Sequence, residues 1–130
     1  MIKLKIKFEE IESIVKEISK NKNVKAIYLF GSYATGKNHV NSDIDICVIA
    51  EKLSDKDEIS IIGAGYDNLD ISLFNYLPIT IRYRVFKEGK PLFIRDNTLI
   101  YSLKAKTLRD YIEFKPSINR FCMETLKCMT

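Results

Sequence analysis

The sequence predicts a single α/β domain, spanning residues 1–130, in which helices pack on a small β-sheet. Short runs of β-branched and aromatic residues, each of strand length, alternate with segments whose apolar residues recur at helical spacing. The chain has 130 residues, which is enough for one hydrophobic core and leaves little room for a second. These two observations define the fold class before any motif is considered.

Composition and charge exclude several classes of protein. Hydrophobic residues make up 46% and charged residues 29%, which excludes a disordered or fibrous chain. The net charge is +4 with scattered lysines, so anionic ligands are favoured only weakly and nucleic acid is not favoured as a direct ligand. The three cysteines, Cys47, Cys122 and Cys128, form no Cys-x-x-Cys pair, which gives little support to a disulfide framework or a zinc site. Charges interrupt every apolar run at the N-terminus, which argues against a secretory signal. We therefore expect a cytoplasmic protein with no membrane span.

The first half of the chain predicts a helix followed by two strands. Residues 8–22 carry apolar side chains at helical spacing, with glutamates in the first turn and lysines at the end. Residues 24–30 form a strand-length run that stops at Gly31, and a short turn or helical segment contains Gly36. Residues 43–50 are interpreted as the second strand.

The middle of the chain contains one ambiguous segment and a third strand. Ser54 or Asp55 could cap a short helix within residues 55–65, yet the same residues also fit a strand and turn. Residues 69–75 alternate apolar and polar side chains, which predicts a strand.

The last part of the chain predicts helices around one more strand. Pro78 suits the first turn of a helix that ends at Gly89, and residues 91–96 are interpreted as a short last strand. From Thr98 onward, two helical stretches are expected on either side of a break at Lys115-Pro116.

Two carboxylates stand at the start of the second predicted strand. Asp43 and Asp45 lie two residues apart, so a strand places both side chains on one face, with their Cα atoms about 6.6 Å apart. Cys47 lies on the same face. Two ionised carboxylates at this spacing repel each other, and a divalent cation removes the repulsion. Oxygen ligands of this kind suit Mg²⁺, which often binds one or two carboxylates together with the phosphates of a substrate. The pair therefore predicts a magnesium site.

A glycine and a serine end the strand that precedes these acids. The missing side chain of Gly31 would let backbone amides approach a phosphate closely, and Ser32 adds a hydroxyl donor. Phosphate donors beside a two-carboxylate metal site indicate nucleotide chemistry, in which a triphosphate is held, neutralised and aligned with an attacking hydroxyl.

A third carboxylate completes the predicted site. Asp70 is the one acid within the third predicted strand, and a neighbouring strand could bring it to Asp43 and Asp45. There it could bind a second metal ion or accept the proton of the attacking hydroxyl. Asp67, just before this strand, is the rival candidate.

The arrangement of Gly-Ser, ten intervening residues and Asp-x-Asp resembles the signature of the DNA polymerase beta-type nucleotidyltransferase superfamily. Residues 77–96 and 111–116 also resemble segments of the minimal nucleotidyltransferases of the MntA antitoxin type. The resemblance implies the nucleotidyltransferase fold, a small mixed β-sheet flanked by helices. It implies that the metal-binding and catalytic residues are Asp43, Asp45 and Asp70. It also implies that the nucleotide phosphates are held by Gly31 and Ser32.

The same resemblance implies a reaction and a partner. It implies transfer of AMP from ATP to a tyrosine hydroxyl of a partner protein, with two Mg²⁺ ions. Antitoxins of this type are paired with a HEPN-domain ribonuclease toxin, which the modification silences. Two alternatives stay open: an antitoxin that neutralises its partner by binding alone, and a nucleotidyltransferase that acts on a small molecule or an RNA end. The latter enzymes generally carry a further substrate-binding domain.

One position departs from the family pattern. Many relatives read Gly-Ser-x-Ala-Arg-Gly, whereas this chain has Thr35 before Gly36, so an expected cation is missing. Lys37 is a candidate to replace it. Arg82 and Arg84, two residues apart on a predicted helix, do not share a face, and either could reach a phosphate or form a surface ion pair.

Overall fold

The computed structural model describes residues 7–38 and 43–129, with the side chains described as far as residue 115. Its centre is a sheet of four strands, β1 (Val24–Phe30), β2 (Ile44–Ala50), β3 (Leu69–Leu73) and β4 (Lys90–Ile94). The strand order is β3-β2-β1-β4. The strand β2 runs parallel to β3, and β1 runs antiparallel to both β2 and β4. The predicted mixed sheet is therefore confirmed.

Helices flank this sheet throughout the part of the chain that the structure describes. They are α1 (Ile11–Ser19), α2 (Ser32–Thr35), α3 (Asp55–Ile62), α4 (Ile79–Glu88) and α5 (Asn97–Met129). Short 3-10 turns at Phe8–Glu10 and Phe74–Tyr76 precede α1 and follow β3. None of the described helices is both long enough and apolar enough to cross a membrane.

The ambiguous segment between β2 and β3 is helical. The hydroxyl oxygen of Ser54 accepts a hydrogen bond from the backbone N–H of Asp57 at 3.1 Å, which caps the start of α3. Acidic residues in the first turn also interact favourably with the positive end of the helix dipole. The apolar pattern fitted either a helix or a strand with a turn, and this cap favours the helix.

The predicted break at Lys115-Pro116 was wrong, because α5 continues through both residues. A proline inside a helix removes one backbone donor and strains the preceding turn, but it does not oblige the helix to end. Residues with good helix propensity stand on both sides of Pro116, including Leu, Lys, Arg and Glu. The other predicted boundaries move by up to three residues, the most at the two ends of α1, and Asp43 lies just before β2 instead of inside it.

Each face of the sheet has its own apolar layer. The first layer joins one face to α1 and α3 and includes Ile11, Val15, Ile18, Ile27, Ile46, Val48 and Ile61. The second layer joins the other face to α4 and α5 and includes Tyr28, Cys47, Ile49, Val85 and Ile100. Asp45 lies two residues before Cys47 on β2, so it belongs to the α4 and α5 face.

Arg95 ties the end of β4 to the end of α1. Its Nε donates to the carbonyl oxygen of Val24 at 2.8 Å, and its guanidinium donates to the carbonyls of Ser19 and Asn21. The same guanidinium lies over the ring of Phe93, 5.1 Å from the centroid. A cation at the C-terminal end of α1 satisfies carbonyls that the helix leaves without partners.

We expect Arg95→Met to lower the free energy of unfolding by about 2 kcal/mol, because the methionine keeps part of the packing and loses the charged donors. Urea unfolding followed by circular dichroism measures the change. Arg109→Met is the matched control, since Arg109 is exposed on α5 and should change stability by less than about 0.5 kcal/mol. Equal effects of the two substitutions would contradict the role assigned to Arg95.

Candidate active site

Three aspartates meet at one edge of the sheet. Asp45 on β2 pairs with Phe30 at the end of β1 on one side and with Asp70 of β3 on the other. Neighbouring strands lie about 4.8 Å apart, so the side chains of Asp45 and Asp70 are direct neighbours on one face. Asp43 precedes β2 at the same edge. The structure thus brings together the three acids that the sequence singled out, while their catalytic role stays a prediction.

Gly31 packs directly against the central acid. A Cβ atom at Gly31 would lie 2.6 Å from Oδ2 of Asp45, closer than such atoms approach each other. The backbone at Gly31 has φ +77° and ψ −154°, a conformation that is essentially restricted to glycine. The glycine is therefore required both by the backbone turn after β1 and by the space that the Asp45 carboxylate fills.

The four-residue helix α2 carries Ser32 immediately after this glycine. The carbonyl of Gly31 accepts from the backbone N–H groups of Ala34 at 3.1 Å and Thr35 at 3.3 Å, which fixes the turn. Tyr33 stacks on Phe8 with ring centroids 5.2 Å apart. Ser32 is thereby held directly after Gly31, the residue that packs against Asp45, and its binding of phosphate stays a prediction.

Thr35 does not replace the cation that the family pattern leads one to expect at its position. Its hydroxyl donates back to the carbonyls of Ser32 at 3.3 Å and Gly31 at 3.4 Å. Its side chain therefore stabilises α2 itself. Positive charge for a bound phosphate has to come from another residue.

The acids repel one another electrostatically. Burial raises the pKa of Asp45, and the negative charges of Asp70 and Asp43 raise it further. Each of these causes disfavours the ionised carboxylate. The raised pKa of Asp45 therefore reflects burial first and the neighbouring carboxylates second, and a bound cation would favour the ionised form.

The donor set suits Mg²⁺, although a full ligand shell is not preformed. Among the described residues, no group of three or more His, Cys, Asp or Glu side chains is arranged to hold a metal ion by itself. Magnesium commonly binds only one or two carboxylates and takes its other ligands from water and substrate phosphates. Asp43 and Asp45, together with a phosphate at the Gly31 turn, would match this set of ligands.

Two other residues considered from the sequence lie apart from this cluster. Asp67 is in the turn before β3, where Tyr66 and Leu69 exchange backbone hydrogen bonds of 3.2 and 3.1 Å. Cys47 is fully buried in the second apolar layer, and burial raises the pKa of its thiol to about 12, with Arg82 only partly opposing the shift. The register favours Asp70 over Asp67, and Cys47 is a core residue.

The last turn of α4 forms a further wall beside Gly31. A small cavity there is lined by Phe30, Gly31, Ile81, Arg84 and Glu88. Arg84 and Glu88 form a loose ion pair, with 3.6 Å between nitrogen and oxygen. The sequence leaves open either a phosphate or a surface ion pair for Arg84, and its place beside this cavity depends on how α4 returns from the far end of β3 across the sheet.

The chain belongs to the polymerase beta nucleotidyltransferase family. The family matches residues 12–98, which is more than half of the chain and includes all five residues predicted for the site. This finding, together with the mixed sheet and the placement of the three acids, confirms the resemblance that the Gly-Ser and Asp-x-Asp pattern indicated.

One curated relative has a name that refers to protein modification. The chain is 34% identical over 67 residues to the protein named "Putative protein adenylyltransferase MJ1547" of Methanocaldococcus jannaschii. The match covers 52% of this chain and 53% of that protein, so it spans about half the length of each.

Solved structures share the fold over almost the whole chain. A chain in a crystal structure of a toxin-antitoxin with AMP-PNP is 23% identical, with a TM-score of 0.72 and coverage of 88% of this chain and 98% of that one. A chain in the structure of a tri-AMPylated Shewanella oneidensis HEPN toxin in complex with MNT antitoxin is 19% identical, with a TM-score of 0.68 and coverage of 91% and 98%. At these identities the likeness shows the fold.

Proposed function

We propose that this protein is a Mg²⁺-dependent adenylyltransferase that transfers AMP from ATP to a tyrosine of a HEPN-domain toxin and thereby acts as its antitoxin. The observation that carries the proposal is the contact of Asp45 with Gly31 on one side and Asp70 on the other. Family membership supports nucleotidyl transfer. The name of the Methanocaldococcus jannaschii relative supports a protein acceptor, and the tri-AMPylated HEPN toxin supports AMP and the partner class.

Each residue of the site has a defined task in this proposal. Asp43 and Asp45 would hold Mg²⁺, which when bound neutralises phosphate charge and favours departure of pyrophosphate. Gly31 and Ser32 bind the phosphates through the backbone and the hydroxyl. Asp70 is exposed on β3, the strand at one edge of the sheet, and it accepts the proton of the tyrosine hydroxyl.

The transfer is a single in-line displacement. The tyrosine oxygen forms a bond to the α-phosphorus of ATP while the bond from that phosphorus to the bridging oxygen breaks. Pyrophosphate leaves with that oxygen, and the hydroxyl proton passes to the carboxylate of Asp70. AMP remains on the tyrosine as a phosphodiester. Such a reaction uses cytosolic ATP, so a cytoplasmic location is part of the proposal.

Neutralisation by binding alone is the second candidate, and one observation favours it. Tyr101, Leu108 and Ile112 recur on one side of α5 and are 70%, 47% and 57% exposed. An exposed apolar stripe of this kind suits contact with a partner protein. The stripe is compatible with both candidates, because an enzyme that modifies a partner must also dock on it.

Incubation of the protein with [α-³²P]ATP, Mg²⁺ and the product of the adjacent gene, which we expect to carry a HEPN domain, tests the proposal. We expect label on a tyrosine of that protein and loss of its ribonuclease activity. The control with [γ-³²P]ATP should give no label, since the γ-phosphate leaves with pyrophosphate. A tight complex that blocks the ribonuclease without any label would overturn the enzymatic proposal in favour of binding alone.

A further inference from the structure

We propose that Arg84 binds the pyrophosphate portion of the nucleotide from α4, and that Glu88 competes with the nucleotide for its guanidinium. This inference rests on the proposed function and names a specificity residue for it. Arg84 is the one cation among the five residues that line the cavity at Gly31.

The direction of the displacement explains why the pyrophosphate would lie at this cavity. Nucleophile and leaving group stand on opposite sides of the α-phosphorus in an in-line transfer. Asp70, the proton acceptor, is on β3, and Gly31 follows β1 on the other side of β2. If the tyrosine enters from the β3 side, the leaving pyrophosphate lies on the β1 side, where α4 ends.

The charges of the site require a cation at this point. Asp43, Asp45 and Asp70 already offset much of the charge of two magnesium ions, which leaves most of the triphosphate charge without compensation. Thr35 supplies no charge, and its hydroxyl is turned to its own helix. A guanidinium can bind two phosphate oxygens at once, which makes Arg84 a suitable donor.

The Arg84 side chain is free to bind a ligand, because it is exposed and only loosely paired. Its side chain is 60% exposed, and its contact with Glu88 is 3.6 Å long. An exposed pair within one helix contributes little to stability, so the guanidinium can leave Glu88 at small cost. The nearby carboxylate of Glu88 would repel phosphate, and it would also hold Arg84 beside the cavity in the absence of nucleotide.

Calorimetric titration with α,β-methylene-ATP and Mg²⁺ tests this assignment, because the bridging carbon prevents the transfer. We expect Arg84→Met to weaken binding by about tenfold to a hundredfold, and Arg84→Lys to recover part of the loss. Glu88→Gln should tighten binding by about two- to fivefold, because it removes a competing and repelling charge. Binding of AMP, which lacks the pyrophosphate portion, should change by less than about twofold in Arg84→Met.

The exposed Arg109→Met substitution on α5 is the matched control for loss of one positive charge and should leave nucleotide affinity unchanged. If Arg84→Met and Glu88→Gln weaken binding alike, Arg84 acts through its ion pair, and the inference is overturned. If the wild type binds the analogue and modifies its partner, but Arg84→Met and Arg84→Lys bind the analogue as the wild type does, the role of Arg84 is wrong. The proposed function would then still stand. Absence of any nucleotide binding or transfer by the wild type would overturn the proposed function as well.

Discussion

Asp45→Asn should abolish AMP transfer, with a fall in rate of at least about a thousandfold, and should also stabilise the folded protein at neutral pH. The loss of activity follows from the place of Asp45 between Gly31 and Asp70, where an amide can neither compensate a cation nor replace a charged ligand. The gain in stability follows from removal of a carboxylate whose pKa is raised by burial and by Asp70 and Asp43. Because much of the carboxylate remains in solvent, we expect a gain of at most about 1 kcal/mol.

The pH dependence of this gain has a definite sign. A carboxyl whose pKa is raised on folding binds its proton more tightly in the folded state than in the unfolded state. Its favourable contribution is complete below the unfolded pKa, near 3.9, and is lost as the pH rises through the raised pKa of Asp45. In EDTA, wild type and Asp45→Asn should therefore be closest in stability in acid and should separate toward neutral pH.

Two measurements check this prediction against a matched substitution. Label transfer from [α-³²P]ATP gives the activity, and urea unfolding at several pH values in EDTA gives the stability. Asp67→Asn changes an exposed aspartate outside the cluster and should leave both quantities unchanged. Activity retained by Asp45→Asn, or lost equally in Asp67→Asn, would contradict the assignment of the site to this edge of the sheet.

The sequence indicates the placement of Asp45 and Gly31 through local features, while their role in a site stays a prediction. Alternation along β2 places Asp45 on one face whatever the rest of the chain does. Gly31 ends a β-branched run, and a glycine at such a point indicates a turn that other residues tolerate poorly. The neighbour relation of Asp45 and Asp70 needed one further condition, the parallel pairing of β2 and β3, and the family resemblance implied a mixed sheet.

The features that the sequence did not reveal depend on long-range packing or on small local energies. Arg84 lines the same cavity as Gly31 only because α4 crosses the sheet. No sequence pattern near either residue indicates that they lie close together. The sequence of α3 fits both a helix and a strand with a turn, and the Ser54 cap belongs to the helix. The helix α5 continues through Pro116 because the loss of one backbone donor is smaller than the total preference of a long helix.

The contact between Gly31 and Asp45 suggests that the glycine does more than permit a turn. The Asp45 carboxylate occupies the space that a side chain at position 31 would need, so the turn and the acid fit together as one unit. A phosphate bound at the Gly31 amide would then lie beside a cation bound at Asp45, because the two residues are in contact. This coupling predicts that a single methyl group can disrupt both sites.

We expect Gly31→Ala to lower the free energy of unfolding by about 2 to 4 kcal/mol and to reduce AMP transfer by at least about a hundredfold. The stability falls because alanine must adopt a conformation reserved for glycine and because its Cβ would lie 2.6 Å from Oδ2 of Asp45. The activity falls further because the Asp45 carboxylate has to move away from the phosphate turn. Urea unfolding and label transfer at a temperature where the variant is folded measure the two effects.

Gly36→Ala separates backbone strain from the clash with Asp45. Gly36 has a similar φ of +75°, yet a Cβ there would meet nothing within 4 Å. Its left-handed conformation costs alanine only about 1 kcal/mol, so we expect slight destabilisation and near wild-type transfer. Loss of transfer in Gly36→Ala as large as in Gly31→Ala would mean that strain in the turn causes the defect. Loss confined to Gly31→Ala, once both variants are compared below their unfolding temperatures, would show that displacement of Asp45 causes it.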